Sequence, residues 1–408
     1  MANMANFKLP SENGVRHLPK PSGPFSVGWV DVFTAPRGEG VTGLLLRLYY
    51  PAAPTQTHTE DWGRWFPLPQ YASGYIRYKF SSLGAFVPLL GRMFLWLSGD
   101  PRIPASQGSR ILNNHQRKPV VVFSHGLAAC RTSYSFLCTD LASRGYFVAA
   151  IEHGEGSGCL RSVKNSKNAA IELKYQDLLA PGTPEYDVRN KQVKLRASEA
   201  CEALDSLDEM NNGNLENIWI QNLSDEKLDG LRNDLMDSMN LDMVTIAGHS
   251  FGGATTALGM TMDARFKVGV ALDSWMFPIR EEKLNKISPE KLLFINCEKF
   301  QGTKNLQTMK RFEGNVDNGI PSNVLTVLKA THYAPTDIPI IMEGSSANTL
   351  YRMIGGGGET PEGLSNWDSL KLFSELFHNW VQRGLGLENS FRNQVSEHKE
   401  YLKYGIDL

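Results

Sequence analysis

One serine in this chain stands where a hydroxyl can act as a nucleophile. Ser250 lies in Gly248-His249-Ser250-Phe251-Gly252, directly after the apolar, β-branched-rich run Val244-Thr245-Ile246-Ala247. The small, helix-compatible residues Gly253-Ala254-Thr255-Thr256-Ala257 follow. Strand, sharp turn and helix in that order form a G-x-S-x-G elbow, which exposes the serine at the top of a sheet. The glycines are there for close approach, because without Cβ atoms the flanking strand and helix can come together at the turn. The pentapeptide alone is common by chance, but in this setting it points to acyl transfer through a serine.

Such a hydroxyl is a poor nucleophile at neutral pH and needs a base beside it. Behind elbows of this kind the chain order is Ser, then Asp or Glu, then His. Three histidines follow Ser250: His332, His378 and His398. His378 sits in the helical pattern Leu372–Trp380 and reads as a packing or surface residue. His398 sits in the charged run Glu397-His398-Lys399-Glu400. His332 follows the strand-like run Val324–Leu328 by a few residues, in a loop off the strand end, and is the expected base. Asp273 ends the run Val268-Gly269-Val270-Ala271-Leu272 and is the expected acid, which would hold the imidazole in the productive tautomer. A capping role is its structural alternative. The two amides of an oxyanion hole fall on Phe251, after the nucleophile, and Leu127, in the loop after Val120–Phe123. His125 and His153 read as loop organisers.

These residues need a sheet to hold them. Short apolar runs at 120–123, 148–151, 244–247, 268–272, 292–295 and 324–328 alternate with helix-length segments. That pattern predicts an α/β-hydrolase fold, a mostly parallel central sheet with helices on both faces. An earlier strand is expected at 42–50. Residues 1–24 read as an N-terminal arm, 25–390 as a single domain and 391–408 as a C-terminal tail. Two insertions interrupt the domain, at about 52–118 with one apolar helix and at about 155–243. In the second, Val193, Ala197, Ala200, Cys201, Leu204 and Leu207 recur at helical spacing. Gly355–Gly358 follows no strand and precedes no lysine, so it reads as a loop rather than a phosphate cradle.

The 408 residues suffice for such a domain, and a formal net charge of −1 argues against a nucleic-acid partner. The five cysteines form no C-x-x-C pair, as expected of reduced thiols in the cytoplasm. The start of the chain shows no secretory signal, and Ala2 excludes N-myristoylation. The longest apolar stretch, Phe86–Leu97, is interrupted by Pro88, Gly91 and Arg92 and falls short of the roughly 20 residues of a membrane span. No oligomeric state follows from the sequence.

Longer stretches resemble one family. They include Val121–Leu127, Asp140–Gly145, Val148–His153, Gly248–Thr255, Ala271–Pro278 and Phe294–Gln301, with Arg131-Thr132 and Tyr134, and Arg189-Asn190 with Gln192-Val193. Together they resemble the platelet-activating factor acetylhydrolases of the plasma and intracellular type II kind. The resemblance implies a calcium-independent esterase that removes a short or oxidised acyl group from the sn-2 position of a phospholipid, without metal or organic cofactor. It assigns serine, acid, base and amides to Ser250, Asp273, His332, Leu127 and Phe251. It also implies that the helix near 88–98 touches membranes or lipoprotein surfaces, through Leu89, Leu90, Met93, Phe94, Trp96 and Leu97. The expected setting is therefore cytoplasmic with peripheral membrane association, and burial of that helix against the core is the alternative. Two departures flank the site: Gly154-Glu155-Gly156-Ser157 after His153, and Tyr333-Ala334-Pro335 after His332. Competing readings are a general carboxylesterase or lipase, and a non-catalytic interaction protein on the same fold.

Overall fold

The computed structural model describes residues 7–37, 43–54, 59–113, 115–163, 172–175, 179–284, 287–317, 320–343, 345–346, 348, 364–388 and 390–406. The glycine run 355–358 lies outside them. One large sheet organises the described residues. Its strands are β1 (Ser26–Thr34), β2 (Leu45–Ala52), β3 (Trp62–Arg64), β4 (Arg102–Gln107), β5 (Lys118–Ser124) and β6 (Phe147–Glu152). They continue with β7 (Ile218–Ile220), β8 (Met239–His249), β9 (Phe266–Leu272), β10 (Leu292–Cys297), β11 (Val324–Val327) and β12 (Leu402–Tyr404). The spatial order is β12-β11-β10-β9-β8-β5-β6-β2-β1-β4-β3, with β7 against β1.

The neighbours β6-β5-β8-β9-β10-β11 run parallel, as the repeated apolar runs predict. Alternation along β5 shows why the sheet is covered on both faces. Val121 and Phe123 join a buried cluster with Phe136, Phe373 and Trp380, the last two from the helix Asn366–Gly384. Val120 and Val122 join another with Leu204 and Leu207 on the opposite face. The architecture is an α/β-hydrolase fold.

The helices used below are α1 (Pro69–Phe80), α2 (Val87–Ser98), α3 (Ser135–Ser143), α4 (Glu185–Asn211), α5 (Asp225–Leu235) and α6 (Phe251–Met262). The segment expected as an insertion at 52–118 holds the apolar helix, α2, with a second helix, α1, packed on it, and lends β3 and β4 to the sheet. Within the expected C-terminal tail, β12 pairs antiparallel with β11 and forms that sheet edge. The tail's polar composition hides this, because an edge strand needs only one buried face. Among the described residues no helix is long and apolar enough to cross a membrane.

The turn between β8 and α6 leaves no room for side chains. A Cβ on Gly252 would run into the Ser124 carbonyl, and one on Gly248 into the Gly252 carbonyl. Gly252→Ala should therefore cost about 2 to 3 kcal/mol through overpacking against backbone, read as a lower urea midpoint at neutral pH. An unchanged midpoint would contradict this account of the turn.

Candidate active site

Ser250 joins β8 to α6 with φ 56° and ψ −112°. A side-chain-bearing residue seldom occupies this region, so the surroundings must hold it there. The Ser250 N–H donates to the Leu272 carbonyl at 2.9 Å, and its own carbonyl accepts from Trp275 N at 2.9 Å. These bonds stitch the elbow to the end of β9. The helix begins at Phe251, so the Phe251 N–H has no acceptor within α6.

The structure brings Ser250, His332 and Asp273 together. His332 Nε2 lies 3.0 Å from Ser250 Oγ, and His332 Nδ1 lies 2.6 Å from Asp273 Oδ2. Asp273 is fully buried. Its second oxygen accepts from Cys297 N at 2.8 Å and from Gln301 Nε2 at 2.6 Å, so the carboxylate is oriented from both sides. The Phe300 ring stacks on the His332 imidazole with centroids 3.6 Å apart. His378 stays remote, packed edge-on against Tyr146, and His398 lies 3.6 Å from Glu375.

His249 is a further participant. Its Nδ1 lies 2.7 Å from the Tyr134 hydroxyl, and its Nε2 lies 2.9 Å from the His332 carbonyl. Tyr134 Oη in turn accepts from Gly126 N at 3.1 Å. Tyr134 thus donates to Nδ1, and Nε2–H donates to the carbonyl, which fixes the tautomer. The chain of bonds ties the loop carrying Leu127 to the loop carrying His332. The ligand atoms of His249, Asp273 and His332 lie within 4.8 Å of one another, a metal-like grouping. All four ring nitrogens already have hydrogen-bond partners, and those bonds account for the grouping.

Arg196 of α4 braces the other side. Its fully buried guanidinium donates to the His125 carbonyl, to Ser157 Oγ at 2.8 Å and to Glu155 Oε1 at 2.7 Å. It also lies over the Phe251 ring, 4.4 Å from the centroid. One cation therefore touches both segments that carry the candidate oxyanion amides. His125 and His153 organise loops: His125 Nδ1 bonds the Gly126 carbonyl at 2.7 Å, and His153 links Ser124 Oγ at 2.7 Å to Glu199. The segment after His153 supplies Glu155 and Ser157 to Arg196.

Asp337 anchors the His332 loop from its far end. Its carboxyl accepts from Ser135 N at 2.7 Å, Phe136 N at 3.0 Å and Trp65 Nε1 at 2.9 Å, at the start of α3. Trp65 in turn walls a pocket of about 360 Å³ with Tyr75, Phe94, Leu127, Ser250 and His332. The 52–118 segment thus builds one side of the pocket. This corrects the expectation for Phe94: at 3% exposure it faces inward, where apolar neighbours cover it. Leu90 and Leu97 are half-buried. Leu89, Met93 and Trp96 are exposed, and Phe86 joins them.

Sheet order and the β8–α6 elbow define an α/β-hydrolase fold, with Ser250, His332 and Asp273 gathered at the strand ends. The sequence profile of the platelet-activating factor acetylhydrolase, isoform II, family matches residues 11–400, and the chain belongs to that family. The platelet-activating factor acetylhydrolase of dog is 36% identical over 298 residues, covering 72% of this chain and 63% of the dog protein. The chicken protein of the same name is 32% identical over 356 residues, covering 85% and 79%. The chain thus spans under two thirds of the canine relative's length. Among solved structures, a ferulic acid esterase from Streptomyces cinnamoneus shares the fold at a TM-score of 0.59 and 18% identity, covering 95% of this chain and 98% of its own.

Burial, followed by the charge of His332, pushes the His249 imidazole well below its ordinary range. In the unfolded chain this group would titrate near about 6.5. Between that value and the depressed folded one, the unfolded state binds the extra proton. Stability is therefore intact above about 6.5 and falls by about 1.4 kcal/mol per pH unit below it on this group's account. His249→Gln should flatten the dependence of the urea midpoint on pH between 5 and 6 relative to the parent. An equal slope in both proteins would refute a neutral buried His249.

Proposed function

We propose that the chain is a calcium-independent serine esterase acting on the sn-2 acetyl or other short or oxidised acyl ester of phospholipids. The observation that carries this reading is His332 bridging Ser250 and Asp273 within hydrogen-bond distance on both sides. The names of the dog and chicken relatives supply the substrate class. His332 takes the Ser250 proton as the oxygen attacks the sn-2 carbonyl. The Leu127 and Phe251 amides receive the oxyanion, Asp273 steadies the imidazolium, and water then clears the acyl-enzyme. No metal or organic cofactor enters any of these steps.

Pocket shape is the argument for short acyl groups. Each buried methylene would gain about 0.8 kcal/mol, so an open apolar channel would favour long chains. Trp65, Phe94 and Tyr75 line the pocket with bulky rings, with Trp65 stacked 5.7 Å from Tyr75 and Phe66 edge-on between Trp65 and Phe94, and on this reading they limit acyl length. Ser250→Ala should lower kcat on short-acyl phosphatidylcholine by roughly 10⁶-fold and abolish fluorophosphonate labelling. Retained labelling at Ser250→Ala would exclude Ser250 as nucleophile. A preference for triacylglycerol or p-nitrophenyl acetate over the phospholipid would favour the general esterase reading.

The same reading makes the protein a peripheral visitor to lipid surfaces from the cytoplasm. Its five cysteines are free thiols, which suits a reducing compartment. Phe86, Leu89, Met93 and Trp96 are 67%, 65%, 41% and 79% exposed on and just before α2, whose other side carries Phe94 into the pocket wall. Apolar side chains so placed insert at a headgroup boundary. Leu89→Ser with Trp96→Ser should cut flotation with phosphatidylcholine vesicles at least tenfold while the fold, read by circular dichroism, stays unchanged. Equal flotation would remove the claim.

A further inference from the structure

A second cavity, about 690 Å³, has a different character. Trp62 and Arg64 line it, whereas Trp65 lines the pocket beside Ser250, so one short segment borders both. Its wall includes Arg47, Arg102, Gln107, Gln221, Ser224 and Lys227. None of these takes part in the chemistry described above.

The deep wall is an ion cluster with one donor left over. Arg47 is 2% exposed. Its Nε and Nη2 each donate to Asp31 at 2.8 Å, and its guanidinium lies 3.8 Å from the Trp29 ring centroid. Arg131 also grips Asp31, at 3.1 and 3.2 Å, and uses its remaining nitrogen on Tyr71 and Glu152. Of the nitrogens of these two guanidinium groups, Arg47 Nη1 is the one without a hydrogen-bond partner, although it is buried. The Gln221 side-chain nitrogen is likewise buried without a partner, on a residue whose backbone N–H donates to the Asp31 carbonyl. A buried cationic donor left unbonded is costly, and native proteins seldom keep one without a use.

The charge balance points the same way. Asp31 is shared between two guanidinium groups, whose pull outweighs burial and keeps it ionised. The lining carries Arg47, Arg64, Arg102, Arg131 and Lys227 against Asp31, Glu60 and Asp61. Glu60 and Asp61, exposed on the same lining, would repel a polyanion.

We propose that this cavity binds a small oxyanion, a phosphate- or carboxylate-bearing molecule of low charge, through Arg47 Nη1 and the Gln221 amide, with Lys227 at the mouth. Such a ligand would complete the hydrogen bonding of the guanidinium. The acceptor would need only one or two oxygens within reach of a planar fork. The site stands apart from the ester chemistry and does not rest on the proposed function.

Calorimetric titration of the full chain with inorganic phosphate, and separately with acetate, tests it at matched ionic strength in chloride. Saturable binding of one equivalent of either anion is expected, and the stronger of the two identifies a tetrahedral or a planar ligand. Gln221→Leu should weaken it at least fivefold and Lys227→Ala about threefold, both in proteins with unchanged circular dichroism. Arg47→Lys, which keeps the charge but not the fork, should weaken it at least tenfold. If that variant fails to fold, the Gln221 and Lys227 variants decide alone. Absence of saturable binding, or binding that survives Gln221→Leu and Lys227→Ala unchanged, overturns the proposal. The latter result would include an anion that sits beside Ser250 instead.

Discussion

A serine held at positive φ is the constraint on which the rest of the site depends. The conformation is unfavourable for a residue with a side chain, so it persists only where neighbours over-determine it. Here the elbow backbone is bonded to Leu272 and Trp275, and the flanking glycines press against the Ser124 and Gly252 carbonyls. β5, β8 and β9 therefore converge on one point. Asp273, one residue beyond β9, leaves its strand at φ 40° and turns its carboxyl towards the same place. The geometry of attack is a property of strand ends packed too tightly to drift.

Around that point the protein fixes its loops with buried polar bonds rather than apolar packing alone. Arg196 holds the His125 carbonyl and the Phe251 ring, Tyr134 and His249 join the loops of Leu127 and His332, and Asp337 pins the latter to α3. Each buried donor or acceptor is expensive if left unpaired, so the set tends to form together or not at all. This explains how a histidine far from the serine in sequence can approach it within 3.0 Å on a loop rather than on a strand or helix.

Much of this was legible in the sequence because it obeys local rules. The parallel core follows from short apolar runs spaced by helices. The elbow follows from glycines around a serine, and His332 and Asp273 follow from chain order and strand ends. What stayed hidden depends on tertiary partners. Arg196 interrupts the apolar stripe of α4 between Val193 and Ala197, and a cation in such a stripe was the available sign of a buried charge. Phe94 looked like one more apolar residue on a greasy helix, and only the position of α1 and Trp65 decides which side it faces. Strand β12 was missed because a three-residue edge strand carries almost no periodicity. The Asp31–Arg47 pairing is a cross-strand contact between β1 and β2, and β1 itself was not foreseen.

The closing strand has a bearing on biosynthesis. β12 pairs with β11, the strand that launches the His332 loop, and the Leu328 N–H donates to the Tyr401 carbonyl at 2.8 Å. Translation delivers the serine turn before this partner. Until Leu402–Tyr404 have been made, the strand that leads into the base borders an open edge. The order of synthesis completes that edge only after the serine turn and the base have both been made.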